Sequence, residues 1–108
     1  MSDAYDDNDV ESEISVPEGG QLRMLPVINR RGLHARASAK FVQTVEKFEA
    51  AVTVTRSGET VGGRSIMGLL TLGAAQGTSI AVVATGSDAE ACLAAITELL
   101  ANKFGEDE

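Results

Sequence analysis

The chain has 108 residues and a mass of 11.3 kDa, which is the size of one ordinary domain. Hydrophobic residues make up 44 %, enough for a buried core and too many for a wholly disordered chain. No run of about 18 apolar residues is present, and the first residues do not resemble a secretion signal, so we expect neither a membrane span nor export. The single cysteine, Cys92, suits a reducing compartment, which predicts a cytoplasmic protein.

The net charge of −7 is unevenly distributed along the chain. Residues 1–19 contain seven acidic residues and no basic one, and residues 106–108 are all acidic. The rest of the chain holds six acidic residues and all nine basic ones. We therefore predict a disordered acidic extension over 1–19, a mildly basic folded domain over 20–104, and a disordered acidic tail over 105–108. Solubility alone is enough to explain tails of this kind.

The first half of the predicted domain alternates strand and helix. Pro26 removes one backbone donor from the first strand, which favours a position at the edge of a sheet. Ser57-Gly58 has the composition of a hairpin turn between two short strands. The predicted elements are a strand at 21–28, a helix at 35–48, and strands at 51–55 and 59–61.

The second half continues with a helix, a strand and a longer helix. Gly73 has the character of a helix C-cap, and Ser87 with Glu90 has the spacing of a capping box at the start of the last helix. The predicted elements are a helix at 65–72, a strand at 79–84 and a helix from 87 with its apolar stripe at 89, 92, 93, 96, 99 and 100. The order β-α-β-β-α-β-α with alternating strands predicts an α+β open-faced two-layer sandwich.

One histidine stands in a chemically distinctive place. His34 lies where the loop after the first strand becomes the first helix, so it faces backbone amides that the helix leaves unpaired. Four basic residues surround it in sequence, and no carboxylate occurs between residues 19 and 45. A neutral imidazole is a competent nucleophile toward phosphorus, and such a helix start attracts anions. The pattern is consistent with a phosphohistidine, although an unreactive capping or surface histidine would give the same spacing.

Residues 64–70 form a second candidate site. Counting along the predicted helix places Leu69 and Leu72 in the core and leaves Ile66, Met67 and Leu70 on the outside, which is typical of a docking surface. A fully buried short helix is the alternative. Cys92 lies on the apolar stripe of the last helix and is expected to be a core residue. No group of residues has the spacing of metal ligands, so we expect no metal ion.

These two motifs together resemble the HPr family, the small phosphocarriers of the bacterial phosphoenolpyruvate-dependent phosphotransferase system. The resemblance rests on Gly32–Arg36 (GLHAR), on Arg64–Gly68 (RSIMG) about thirty residues later, and on the Leu72-Gly73 and Gln76-Gly77-Thr78 segments that follow. It extends over about three quarters of the chain. It implies a four-stranded antiparallel sheet with three helices on one face.

The resemblance also implies a role for each matching residue. His34 would accept a phosphoryl group on Nδ1 from enzyme I and pass it to an enzyme IIA domain, with Arg36 steadying the phosphoryl group. Ser65 would be the regulatory serine that an HPr kinase/phosphorylase modifies. The implied partner-binding residues are Ala35, Lys40, Ile66, Met67 and Leu70. No cofactor is implied, and we expect a monomeric carrier rather than an enzyme with its own turnover.

Two other functions remain open at this stage. The chain could be a regulatory binding module in which phosphorylation at Ser65 or His34 switches its affinity for partner proteins. The basic cluster could also contact nucleic acid, but it lacks interleaved aromatic residues, so we expect no nucleic-acid partner. Ala37 occupies the position where the family usually has proline, and alanine also favours a helix, so we expect activity to be retained.

Overall fold

The computed structural model describes residues 14–108, and the prediction of disorder over 1–19 therefore falls largely outside the described residues. The elements follow the predicted order. They are strand β1 (Gln21–Pro26), helix α1 (Ala35–Val45), strands β2 (Ala51–Arg56) and β3 (Glu59–Gly62), helix α2 (Ile66–Thr71), strand β4 (Ser79–Thr85), helix α3 (Ala89–Ala101) and a 3₁₀ turn (Lys103–Gly105).

The four strands form one antiparallel sheet in the order β1-β4-β2-β3. Strand β4 is central, with Leu25 opposite Ile80 on one side and Val54 opposite Val82 on the other. Pro26 lies on the edge strand β1, as its missing amide hydrogen predicts. Ser57 and Gly58 both have positive φ and close the β2–β3 hairpin, which confirms the predicted turn.

The core lies between the sheet and the three helices. Helix α1 buries Phe41, Val42 and Val45, which recur at the predicted helical spacing. The stripe of α3 is confirmed, with five members buried and Leu99 partly buried against the core. Cys92 is fully buried in this stripe, as expected. Its burial raises the pKa of the thiol, which makes it a poor nucleophile.

The start of α3 differs from the prediction. The N-cap is Asp88 rather than Ser87, and no side chain caps the helix, so the predicted capping box is wrong. The Asp88 carboxylate instead accepts a hydrogen bond from the Glu49 amide at 2.8 Å, and the Asp88 amide donates to the Glu49 carbonyl at 3.1 Å. These two hydrogen bonds join the end of the α1–β2 loop to the start of α3. Glu49 is distant in sequence, so local spacing around Ser87 does not reveal its role.

Two elements, β1 and α1, are shorter than predicted. Strand β1 ends at Pro26 rather than at residue 28, although the Val27 amide still donates to the Thr78 carbonyl at 2.8 Å. Helix α1 ends at Val45, because the amides of Lys47 and Phe48 bond to carbonyls three residues back and tighten the last turn. Both changes lie at element ends, and the core faces are unaffected.

Candidate functional site

His34 is the N-cap of α1, as the sequence predicts. Its backbone is extended, with φ −77° and ψ −175°, and its carbonyl accepts the first helical bond from the Ser38 amide at 2.9 Å. Its side chain makes no capping hydrogen bond and is 24 % exposed. The imidazole therefore stands at the positive end of the helix and can be reached from solvent.

The loop before His34 is held against the segment that follows α2. Gly32 has φ +66°, and a Cβ atom at this position would lie 2.3 Å from the Ala74 carbonyl oxygen. The next amide, of Leu33, donates to that same oxygen at 2.9 Å. Only glycine fits this approach, because the backbone is both left-handed and in contact with another backbone. The glycine of the GLHAR motif thus fixes where the helix and its N-cap begin.

A pocket of about 410 Å³, lined by charged side chains of both signs, lies beside the start of α1. Its walls combine basic residues of the loop and helix with the acidic end of the chain. They are Arg30, Arg31, Arg36, Lys40, Gly105, Glu106, Asp107 and Glu108. Arg36 is exposed on the first turn of α1, and its guanidinium has no hydrogen-bond partner among residues 14–108. An anion bound in this pocket would meet the Arg36 guanidinium near the positive end of a helix.

The acidic tail predicted to be disordered is instead folded against this site. Glu106 Oε2 lies 2.5 Å from His34 Nε2. Asn29 Nδ2 donates to Glu106 Oε1 at 3.0 Å and to the Gly32 carbonyl at 2.9 Å. Asn29 is fully buried, so its hydrogen bond holds the carboxylate against the interior of the protein. Glu106 and Asn29 are the residues of this site that sequence reasoning missed.

The chain reaches His34 through a sharp turn after α3. Lys103 and Phe104 both have φ near +56°, a conformation that non-glycine residues rarely adopt. Phe104 is 1 % exposed, and its carbonyl accepts a hydrogen bond from Lys40 Nζ at 2.6 Å. Burial of the ring and this charged bond compensate the backbone strain. Further along, Arg30 binds the Glu108 carboxylate at 2.8 Å in an exposed ion pair.

The carboxyl group of Glu106 is ionised at neutral pH. Burial acts to raise its pKa, but hydrogen bonds from Asn29 and His34 and the charge of Arg31 act together in the opposite direction. The result is a pKa below the ordinary value of 4.5. The partner atom His34 Nε2 must therefore carry the hydrogen in the bond between them.

The second predicted site, on α2, has the expected exposed surface at Ile66 and Met67 but not fully at Leu70. Met67 is 71 % exposed and Ile66 is 39 % exposed, whereas Leu70 is half-buried and Leu69 is in the core. Ser65 is the N-cap of α2 and accepts a hydrogen bond from the Gly68 amide at 2.9 Å. Helix α2 packs beside α1. The structure thus places an apolar patch, with an exposed serine at its edge, on the helix next to that of His34.

Comparison with known proteins decides the family. The family model described as PTS HPr component phosphorylation site matches residues 23–102, which include both motifs. The chain belongs to the HPr family. The phosphocarrier protein HPr of Xylella fastidiosa is 47 % identical over 83 residues, which are 77 % of this chain and 93 % of that protein. The resemblance inferred from the two motifs is confirmed.

Two further comparisons agree with membership of the HPr family. A multiphosphoryl transfer protein of Haemophilus influenzae is 38 % identical over 103 residues, covering 93 % of this chain and 20 % of that protein. The crystal structure of HPr-C-His from Thermoanaerobacter tengcongensis superposes with a TM-score of 0.78 at 38 % identity, over 82 % of this chain and 99 % of the other. The predicted open-faced sandwich is therefore confirmed as the HPr fold.

The contact between Glu106 and His34 involves a residue outside the family-model match. The matched region ends at residue 102, so the turn at 103–105 and Glu106 lie outside it. A complementary signal was present in the sequence, because an acidic end and a basic loop attract one another. Within residues 14–108 no group of three His, Cys, Asp or Glu side chains could hold a metal ion. In the same range no helix has the length and apolar character needed to cross a membrane.

Proposed function

We propose that His34 carries a phosphoryl group, received from enzyme I and passed to an enzyme IIA domain. The observation that carries this proposal is the position of His34, which is a partly exposed helix N-cap beside a pocket lined by arginines. Membership of the phosphocarrier family HPr supports it. The partners would then be other proteins of the phosphotransferase system, met by a monomer in the cytoplasm.

The transfer would take place at Nδ1 of the imidazole. Its lone pair forms the new P–N bond, while the P–N bond of the donor phosphohistidine breaks and leaves its electron pair on the donor nitrogen. The free amides of the first turn of α1 and the guanidinium of Arg36 would bind the phosphoryl oxygens. The chain needs no cofactor for this step, and each cycle carries one phosphoryl group rather than catalysing a reaction of its own.

The partner surface would combine the first turn of α1 with the exposed side of α2. Ala35 is exposed next to His34, and Ile66 and Met67 offer the apolar area. Lys40 is half-buried, and its ammonium group already binds the Phe104 carbonyl. We therefore expect Lys40 to contribute through its charge at the rim of the surface rather than as a free hydrogen-bond donor.

Ser65 would be the regulatory site, modified by an HPr kinase/phosphorylase. Its hydroxyl is exposed at the first position before α2, so a phosphate there would meet free amides instead of disturbing the core. The charge would stand directly beside Ile66 and Met67. Docking of a partner on these apolar side chains would then require desolvation of the phosphate, which weakens binding.

A labelling experiment tests the carrier proposal. The protein is incubated with labelled phosphoenolpyruvate and enzyme I, and then with candidate enzyme IIA domains. We expect a label on the wild type that is labile in acid and stable in base, none on His34→Ala, and loss of the label when the correct acceptor is added. Label on His34→Ala would refute the assignment of the residue. Label that stays on His34 with every acceptor would instead favour the regulatory binding module.

A further inference from the structure

The hydrogen bond between Glu106 and His34 determines which imidazole nitrogen is free. An ionised carboxylate can only accept hydrogen bonds, and Glu106 Oε2 lies 2.5 Å from Nε2. In the neutral imidazole one nitrogen carries the hydrogen and the other carries a lone pair. With the hydrogen held on Nε2, the lone pair is on Nδ1. The structure gives Nδ1 no hydrogen-bond partner among residues 14–108.

We propose that Glu106 is a positioning residue for phosphoryl transfer, which holds the hydrogen of His34 on Nε2 and so presents Nδ1 as the nucleophile. This inference rests on the proposed function of His34. A carboxylate that orients a histidine through its far nitrogen is a general device in proteins, because it fixes both the tautomer and the direction of the ring. Here the carboxylate comes from a segment 72 residues away from the histidine.

The same contact stabilises the positive charge that the imidazole ring gains during transfer. When the lone pair of Nδ1 forms the bond to phosphorus, the hydrogen on Nε2 stays in place and the ring gains positive character. The donor phosphohistidine of enzyme I loses its P–N bond and keeps that electron pair, so no further reactant is required. A carboxylate already in contact with Nε2–H stabilises the ring more strongly as its positive character grows. The interaction is thus stronger in the transition state than before transfer.

The surroundings hold Glu106 in this role. Asn29 Nδ2 donates to its other oxygen at 3.0 Å, and the Glu106 side chain is only 15 % exposed. The side-chain nitrogen of buried Asn29 donates to both Gly32 and Glu106, whereas its Oδ1 has no partner among the described residues. All hydrogen bonds of this side chain therefore serve the loop and the carboxylate. Both oxygens of the carboxylate are therefore directed by donors, one from Asn29 and one from His34.

The acidic segment lines the same pocket as Arg36 but does not engage every basic residue there. Arg30 binds Glu108, and Lys40 binds the Phe104 carbonyl, but Arg36 has no hydrogen bond to this segment. A segment that served to exclude the phosphoryl group would be expected to engage Arg36. The opposite interpretation, in which Glu106 competes with the incoming phosphoryl group by like charge, predicts that removing its charge speeds labelling. The two interpretations therefore differ in the sign of one measured rate.

The test compares Glu106→Gln with the matched control Glu108→Gln, which removes the same charge from the same segment but contacts Arg30 rather than His34. The ring of His34 is observed by ¹⁵N NMR at about pH 8, above the ordinary titration range of imidazole. We expect the Nε2–H tautomer in the wild type and in Glu108→Gln, and a mixture of tautomers in Glu106→Gln. This readout needs no partner protein and no phosphate.

Single-turnover labelling by phosphorylated enzyme I is then measured on the same samples. We expect Glu106→Gln to be labelled about tenfold more slowly than both the wild type and Glu108→Gln, in line with other orienting carboxylates. Glu106→Ala should reproduce both effects, which excludes a new bond made by the glutamine amide. Thermal melts of each variant check that the fold is retained.

Two results would overturn the inference. One is an unchanged tautomer in both Glu106 variants, and the other is labelling as fast as, or faster than, that of the wild type. Failure of the carrier proposal itself would give a different result. His34→Ala would then still accept label, and this result does not depend on the tautomer found in the Glu106 variants.

Discussion

Replacing Gly32 by alanine tests whether the close backbone approach at Ala74 sets the position of His34. Two costs are expected. Alanine at φ +66° is left-handed, which costs roughly 1–2 kcal/mol. Its Cβ would also meet the Ala74 carbonyl oxygen at 2.3 Å, and such contacts do not occur below 3.0 Å in real proteins, so the two backbones must separate by about 0.7 Å. Overpacking of this kind costs about 1–3 kcal/mol.

Gly58 provides the matched control. It also has positive φ, at +79°, but a Cβ atom added there has no other atom within 4 Å. The conformational cost is therefore common to both substitutions, and only Gly32→Ala carries the cost of the clash. We expect Gly32→Ala to lower the free energy of unfolding by about 2 kcal/mol more than Gly58→Ala does. This difference corresponds to roughly 8–16 °C in Tm for a domain of this size.

Urea unfolding measures the two losses, and labelling by enzyme I measures the consequence for His34. The separation of the backbones also lengthens the bond between the Leu33 amide and the Ala74 carbonyl, now 2.9 Å. We therefore expect Gly32→Ala to slow labelling under conditions in which both variants are folded, and Gly58→Ala to leave the rate unchanged. Equal losses of stability in the two variants would show that the contact with Ala74 has no energetic importance.

Two further substitutions test the proposed roles of the remaining site residues. Arg36→Ala should slow phosphoryl transfer by about 100-fold while the affinity for enzyme I changes little, because the guanidinium acts on charge that develops during transfer; equal losses of rate and affinity would contradict this. Ser65→Asp should slow labelling of His34 without lowering Tm. Ser57→Asp adds the same charge in the exposed β2–β3 turn and should leave the labelling rate unchanged. Equal labelling rates in the two variants would reject the proposed effect of charge beside α2.

The features that the sequence predicts correctly are those determined by neighbours along the chain. The faces of α1 and α3 follow from apolar residues at helical spacing, and the exposure of Met67 follows from the same counting. The location of His34 as an N-cap follows from the change of pattern after the loop. The capping box at Ser87 and Glu90 fails because the N-cap is Asp88, which is hydrogen-bonded to Glu49 in the distant α1–β2 loop. Local spacing contains no information about such a bond.

The contact of Glu106 with His34 lies beyond prediction for the same reason, and its consequence is larger. An acidic tail with no apolar periodicity fits disorder, and only tertiary structure reveals that buried Phe104 and the left-handed turn at 103–104 direct the chain back to α1. In this position the Glu106 carboxylate accepts hydrogen bonds from the Asn29 side-chain amide and from His34 Nε2–H. In the proposed mechanism, the local motif supplies the nucleophilic imidazole, and a distant residue determines which of its nitrogens reacts.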